Sequence, residues 1–184
     1  MDYQVSASDI AILRNAGVGE EDITHSIHVA EKALEIAKRT GASVDMELVG
    51  KGGLFHDLGK AKTHEIEHGN IGAEMGKALG MSSALTDIME KHIRGGLTPE
   101  EAKDLGLPVK DYALKTLEEK IVIYADRLVD IITEGIVAIK SDLEAETRFI
   151  EILKAYPKYG KNEITTNRYI RYHDEIQGLI ASGS

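Results

Sequence analysis

The chain has 184 residues, enough for one hydrophobic core that removes about two-thirds of its unfolded surface from water, and it has no cysteine, which excludes disulfides and thiolate metal sites. Its 31 acidic and 22 basic residues leave a formal net charge of −9, a field that repels nucleic-acid polymers but leaves room for a small phosphate ligand held by local cations or metals. No stretch approaches the roughly 18 apolar residues of a membrane span, and no basic-then-apolar leader opens the chain, so no membrane association and a reducing, cytoplasmic setting are expected.

The periodicity is helical nearly throughout, and no run of alternating strands stands out. A short helix is predicted from about Asp9 to Ala16, stopping at Gly17, and a longer one from about Glu20 to Arg39, stopping at Gly41. Asp45 can cap a third through "MELVGKGGLFHDL". "IGAEMGKAL" offers a short helix, and Ser82 or Ser83 can start the next through "ALTDIMEKHI". Thr98, Pro99 and Glu101 form a capping box with proline at the first helical position, and Thr116 with Glu119 repeats the box at the head of "LEEKIVIYADRLVDIITEGIVAI". Further helices fit "LEAETRFIEILKAY" and the tail from about Glu163 to Ile180. No linker or repeat divides the chain, so an all-α single domain over residues 1–184 is expected, with helices from 141 onward packing on a motif-bearing core at about 20–135.

Polar residues fall on the apolar stripes of these helices. Positions three or four apart share a face, which aligns His56 with Val49 and Gly53, Asp126 with Val122 and Val129, and His92 with Leu85, Ile88 and Met89. On the second helix His25 shares a line with Val29, Ala33 and Ile36, whereas His28 lies with Lys32, Glu35 and Arg39 and faces water. The adjacent Gly52 and Gly53 each cost about 1 kcal/mol relative to alanine in a helix, so another helix or a ligand is expected to come close there. For any single buried histidine the simpler reading is a hydrogen bond to a backbone carbonyl. If four such helices converge, a metal site satisfies their imidazole and carboxylate groups together. His173 reads as a surface residue.

The order His25, then His56-Asp57, then Asp126 resembles the H…HD…D signature of the HD superfamily of metal-dependent phosphohydrolases, and "HDLGK" looks like its HDIG variant. "HSIHVAEKALEIA" and "EEKIVIYADRLVD" are similar to the family's first and last ligand helices. "HGNIGAEM" resembles its H-x-x-x-G-A element and "KHIRGG" the element with a further histidine, which puts His68 and His92 at ligand places. The resemblance, covering about residues 20 to 135, implies a helical HD fold and two divalent ions. His25, His56, Asp57 and Asp126 would hold one, with Asp57 bridging to a second on His68 and His92. Iron, manganese, cobalt, nickel and zinc all suit such a donor set.

The activity so implied is hydrolysis of a phosphoester or phosphoanhydride in a small substrate, a nucleotide for preference, by metal-activated water. Asp57 is then catalytic as the bridge, and Lys60 and Arg94 are candidates to neutralise phosphate charge. Arg127 and Asp130 sit beside Asp126 as orienting groups. The Gly-Tyr-Pro element of the family's cyclic-dinucleotide phosphodiesterase branch is missing after His92, and the arrangement looks closer to the enzymes that hydrolyse symmetrical dinucleoside tetraphosphates. An insert from Leu97 to Tyr112 is expected near the mouth of the site. A regulatory protein that binds metal or nucleotide without turnover is the alternative. A third reading, a zinc peptidase through "HEIEH" at residues 64 to 68, needs both histidines on one helical face, and "AKTHEIEHGN" gives a helix no apolar face to bury.

Overall fold

Local end signals place most of the helices. In the computed structural model, which describes residues 3–183, α1 (Ala7–Ala16) starts on the Ser6 hydroxyl and α2 (Glu20–Thr40) ends at Gly41, whose φ of 66° is the left-handed turn that glycine takes without strain. α3 (Met46–Phe55) is capped by Asp45, which accepts the Leu48 amide at 3.0 Å. A 3-10 turn (Leu58–Ala61) leads to α4 (His68–Ala78), and α5 (Ser83–Lys91) is capped by Ser82. After a second 3-10 turn (Ile93–Gly95) come α6 (Pro99–Asp104) and α7 (Leu117–Glu134), each opened by its predicted capping box. The chain closes with α8 (Asp142–Thr147), α9 (Phe149–Ala155), α10 (Pro157–Gly160) and α11 (Glu163–Gly183). The fold is all-α, with no strand among the described residues. None of the described helices is long and apolar enough to cross a membrane.

Several boundaries differ from the sequence expectation. α3 stops at Phe55 and does not run through His56 to Leu58, because α4 lies against the next turn: a Cβ on Gly59 would sit 1.9 Å from the His68 carbonyl oxygen. α7 ends at Glu134, since Gly135 turns left-handed at φ 72° and "IVAI" leaves the helix. "LEAETRFIEILKAY" is two helices, with Arg148 at the break and its guanidinium donating to the Ala138 carbonyl at 3.0 Å.

α2, α3, α7, α9 and α11 share the largest core, where Val29, Ile36, Val122, Tyr124, Phe149, Tyr169 and Ile176 are buried. Each large apolar side chain contributes about 1.5–3 kcal/mol there. A second cluster, with Leu13, Ile23, Leu54, Leu58 and Met89, joins α1 and α5 to the other end of α2 and α3. The glycine pair lets these layers close. A Cβ on Gly53 would lie 2.6 Å from the Ala30 Cα on α2, and one on Gly52 would lie 2.8 Å from Ile88 Cδ1 on α5. His173 is not a free surface residue: its Nδ1 lies 2.7 Å from the Tyr124 hydroxyl and its ring stacks on Phe149 with centroids 5.2 Å apart. Between α2 and α8, Arg39 grips Glu146 through two bonds of 2.9 Å, a bidentate pair that fixes the C-terminal helices to α2.

Candidate metal centre

The close packing of α2, α3, α4, α5 and α7 brings all six predicted ligand residues to one place. His25 comes from the middle of α2 and Asp126 from the middle of α7, while His56 caps the C-terminus of α3, Asp57 follows it, His68 opens α4 and His92 caps α5. Asp57 is therefore not the helical neighbour of His56, offset by one helical step. It lies beyond the break, at φ −98° and ψ 18°.

Asp57 is the hub, with its side chain 4% exposed. Its Oδ1 lies 3.2 Å from His68 Nε2 and 3.1 Å from His92 Nε2. Its Oδ2 lies 3.1 Å from His56 Nε2 and 3.7 Å from His25 Nε2. Asp126 Oδ1 completes the second set, 2.9 Å from His25 Nε2 and 3.3 Å from His56 Nε2. One carboxylate thus offers an oxygen to each of two imidazole groups. Grouped by reach, His25, His56 and Asp57 could hold one ion, Asp57, His68 and His92 another, and His25, Asp126 and Asp130 form a third cluster.

The far sides of the rings are also committed. Nδ1 of His56 lies 2.7 Å from the Gly53 carbonyl, that of His68 2.8 Å from Glu65 O, and that of His92 2.7 Å from Met89 O. A carbonyl only accepts, so each Nδ1 carries a proton and donates, and it is Nε2 that each ring turns inward, with a lone pair free for a cation when the ring carries no second proton. The simpler reading of a buried histidine, a bond to backbone, is correct for these three and leaves the second nitrogen unexplained. His56 Nε2 is buried with no hydrogen-bond partner of acceptable geometry. Backbone-anchored imidazoles with converging lone pairs around ionised carboxylates are the donor set a divalent cation requires.

The electrostatics follow from this crowding. Burial alone would raise the Asp57 and Asp126 carboxyls, but His56 and the hydrogen-bonding imidazoles hold both well below the usual carboxylate range. The same two carboxylates raise His56 against its own desolvation, so its inward lone pair favours a positive partner, whether proton or metal. Asp130 goes the other way: burial and the neighbouring Asp126 charge push it up to about 7. Its Oδ1 lies 3.6 Å from His25 Nδ1. Sequence reasoning gave Asp130 only an orienting place, although its position one helical turn beyond Asp126 puts both on one face.

The cluster opens into a cleft of about 370 Å³ that also exposes Lys60, Arg94, Arg127 and Lys161. Lys60 reaches Asp57 Oδ2 at 3.1 Å from the 3-10 turn, not from the end of α3. Arg94 lines the cleft from a turn in left-handed backbone, φ 50°, in place of a continued α5. His28 is exposed, as its helical phase required. The insert does not line the cleft. Leu97, Ala102, Leu107 and Tyr112 form a small cluster of their own behind Ile66 and Ile93 and support that wall. In "HEIEH", His64 sits in a turn, bonded to Asp22 at 2.7 Å, and only His68 begins a helix, so no helical face carries both. A larger cavity of about 500 Å³, between α1, α3 and the start of α5, contains no histidine.

A helical protein with a buried histidine–aspartate cluster where five helices converge is the class that this fold and site define. More specifically, the chain belongs to the HD-domain family, whose model matches residues 22–129. It is 42% identical over 175 residues to the uncharacterized protein MJ0778 of Methanocaldococcus jannaschii, covering 93% of this chain and 96% of that one. It is 40% identical over 122 residues to a tRNA (cytidine(56)-2'-O)-methyltransferase of Picrophilus torridus, covering 65% of this chain but 35% of the methyltransferase, so the chain matches about a third of that protein. The fold is shared with the HD domain of the L. monocytogenes phosphodiesterase PgpH, solved in complex with cyclic-di-AMP, at TM-score 0.56 and 18% identity over 98% of both chains.

Proposed function

We propose that the protein is a metal-dependent phosphohydrolase that cleaves a phosphoester or phosphoanhydride of a small nucleotide-type substrate. The observation that carries this reading is the split of Asp57, with Oδ1 among His68 and His92 and Oδ2 among His25 and His56. A carboxylate so placed suits two cations side by side. His25, His56, Asp57 and Asp126 would hold one and Asp57, His68 and His92 the other. Such ions supply hydroxide at neutral pH by lowering the pKa of bound water to about 7.

The chain's own residues supply the rest. The backbone carbonyls behind His56, His68 and His92 fix ring orientation, so the donors need no rearrangement to bind. Lys60, beside Asp57, is a cation for the negative charge that a transferring phosphoryl group gains, and Arg94 adds a second cation to the same cleft. The net charge of −9 weighs against a long polyanion as substrate, and a cleft of about 370 Å³ suits a small one.

The test is elemental analysis of the purified protein, followed by a panel with added iron, manganese, cobalt, nickel and zinc. The panel holds nucleoside monophosphates, dinucleoside polyphosphates, cyclic dinucleotides, an aryl phosphate, an RNA oligonucleotide and a peptide. Metal-dependent release of phosphate or nucleotide from the small substrates is expected. Metal bound at full occupancy with no turnover of any phosphate substrate would favour the regulatory reading. Peptide cleavage lost in Glu65→Gln would favour the peptidase.

A further inference from the structure

Arg94 and Lys161 are the two non-glycine residues of the described chain at positive φ, 50° and 63°. Both line the same cleft, although five helices, α6 to α10, separate them in sequence. At Lys161 the backbone has φ 63° and ψ −73°, and the Asn162 amide donates to the Gly160 carbonyl at 2.8 Å. This is a γ-turn of the rare hand, which residues with side chains avoid unless their surroundings impose it.

Here the surroundings do impose it. The Lys161 amide donates to the Pro157 carbonyl at 2.8 Å, and the Thr166 hydroxyl donates to the Gly160 carbonyl at 3.0 Å. Gly160 is wedged, since a Cβ there would lie 2.2 Å from the Leu153 carbonyl oxygen. The Arg94 turn is pinned by the same helix, α11. Arg168 donates to the Arg94 carbonyl at 2.9 Å, and the Tyr172 hydroxyl donates to the Gly95 carbonyl at 2.7 Å. One helix thus holds two strained turns, each presenting a cation to the cleft.

The charge pattern shows what the cations face. Lys60 lies 3.1 Å from Asp57, and Arg127 lies 3.6 Å from Asp130 while its guanidinium stacks over Tyr169. Arg94 and Lys161 have no carboxylate within 4.0 Å among the described residues. Burial and the charges of Arg127 and Arg94 push the Lys161 ammonium below its ordinary value. Asp130 is the acid that partly opposes this, whereas Lys60 is paired with Asp57. Unpaired cations gathered at an open cleft are a place for an anion. Lys161 also lies outside the matched family residues, 22–129.

We propose that Lys161, together with Arg94, binds a phosphate of the substrate other than the one cleaved at the histidine cluster, so that the cleft selects nucleotides with two or more phosphates over those with one. The selection rests on the phosphohydrolase reading; the anion site does not. Lys161→Ala and Lys161→Gly remove the charge, and the glycine variant also relieves the strained backbone, so lost folding cannot account for its effect. Lys161→Arg keeps the charge, and Lys158→Ala, in α10 just before the turn and outside the cleft, is the control.

Two measurements on the metal-loaded full chain decide the matter. Calorimetric titration with inorganic pyrophosphate should show binding weakened about tenfold in the alanine and glycine variants, the scale of one charge-assisted contact, with Lys161→Arg and Lys158→Ala near wild type. The ratio of kcat/KM for a nucleoside di- or triphosphate to that for the monophosphate should fall by a similar factor, mainly through KM. Pyrophosphate affinity within about twofold of wild type in Lys161→Gly overturns the proposal, as does an equal loss on mono- and polyphosphates through kcat alone. If no substrate turns over in wild type, the hydrolase reading fails, and the pyrophosphate titration still decides the anion site by itself.

Discussion

His68 and His92 bring their Nε2 atoms to 2.9 Å of each other, and each has its Nδ1 occupied by a backbone carbonyl. Two neutral imidazoles arranged this way point lone pairs at one another and at Asp57 Oδ1, which lies 3.2 and 3.1 Å away. Without a proton or a cation between them the arrangement is repulsive. The chain tolerates it because the start of α4 and the end of α5 fix the two rings before any ligand arrives.

Metal should therefore stabilise the fold measurably. At a free concentration a hundredfold above Kd, a bound ion adds about 2.7 kcal/mol, on the order of 5–10 °C in Tm for a chain of this size. Scanning calorimetry with chelator and then with added manganese or zinc checks this. An unchanged Tm across that range removes the metal centre from the argument.

Asp57 and Asp126 should differ in how much metal they hold. Asp57 faces both imidazole groups, so Asp57→Asn is expected to lower bound metal at both positions, whereas Asp126→Asn affects one. Each should reduce hydrolysis by more than about a hundredfold, beyond the range usual for groups that only orient a ligand. Metal counts by elemental analysis give the comparison, and full occupancy of two ions in Asp57→Asn would exclude the bridge.

His25 and His28 lie on one helix with opposite fates. His25 Nε2 is 2.9 Å from Asp126 Oδ1, and His28 is exposed. His25→Ala should lose metal and activity together, while His28→Ala stays within about ±0.5 kcal/mol of wild-type stability, as surface changes usually do. Equal losses of bound metal in the two variants would contradict the placement of α2.

Glu119 ties α7 to α5 and gives the fold an acid-sensitive joint. Its carboxylate accepts the Lys115 and Thr116 amides at 2.7 and 2.8 Å and the Lys91 ammonium at 2.8 Å. Burial opposes the charge, but these donors, Lys91 first, hold the carboxyl below its ordinary value. A folded pKa below the unfolded one gives stability that is present above the unfolded value and is lost as pH falls through the folded one. Glu119→Gln should cost about 1–3 kcal/mol near neutral pH, and the gap to wild type should narrow in acid, below the ordinary glutamate range. Urea melts at several pH values measure it, and a gap that does not change with pH would show that the charge contributes nothing.

The end signals of the helices were legible in the sequence because they are local. Asp45, Ser82, Thr98 and Thr116 each cap the helix that follows, since a side-chain oxygen and an amide three residues on need nothing distant to meet. The phase of α2 separated His25 from His28 for the same reason. The order of His25, His56-Asp57, His68, His92 and Asp126 named the family before any contact was known.

Only the tertiary structure decided where the helices stop short. Gly59 yields to the backbone of α4, which ends α3 before His56 and turns Asp57 toward two imidazole groups at once. Arg148 divides the segment read as one helix by reaching back to Ala138. Lys161 gave no signal at all, because its place in the cleft depends on a γ-turn fixed by Leu153, Thr166 and the packing of α11. Helical period and cap chemistry act over a few residues and can be read along the chain. The approach of one backbone to another depends on the whole packed core, and that approach set the direction of Asp57 and of Lys161.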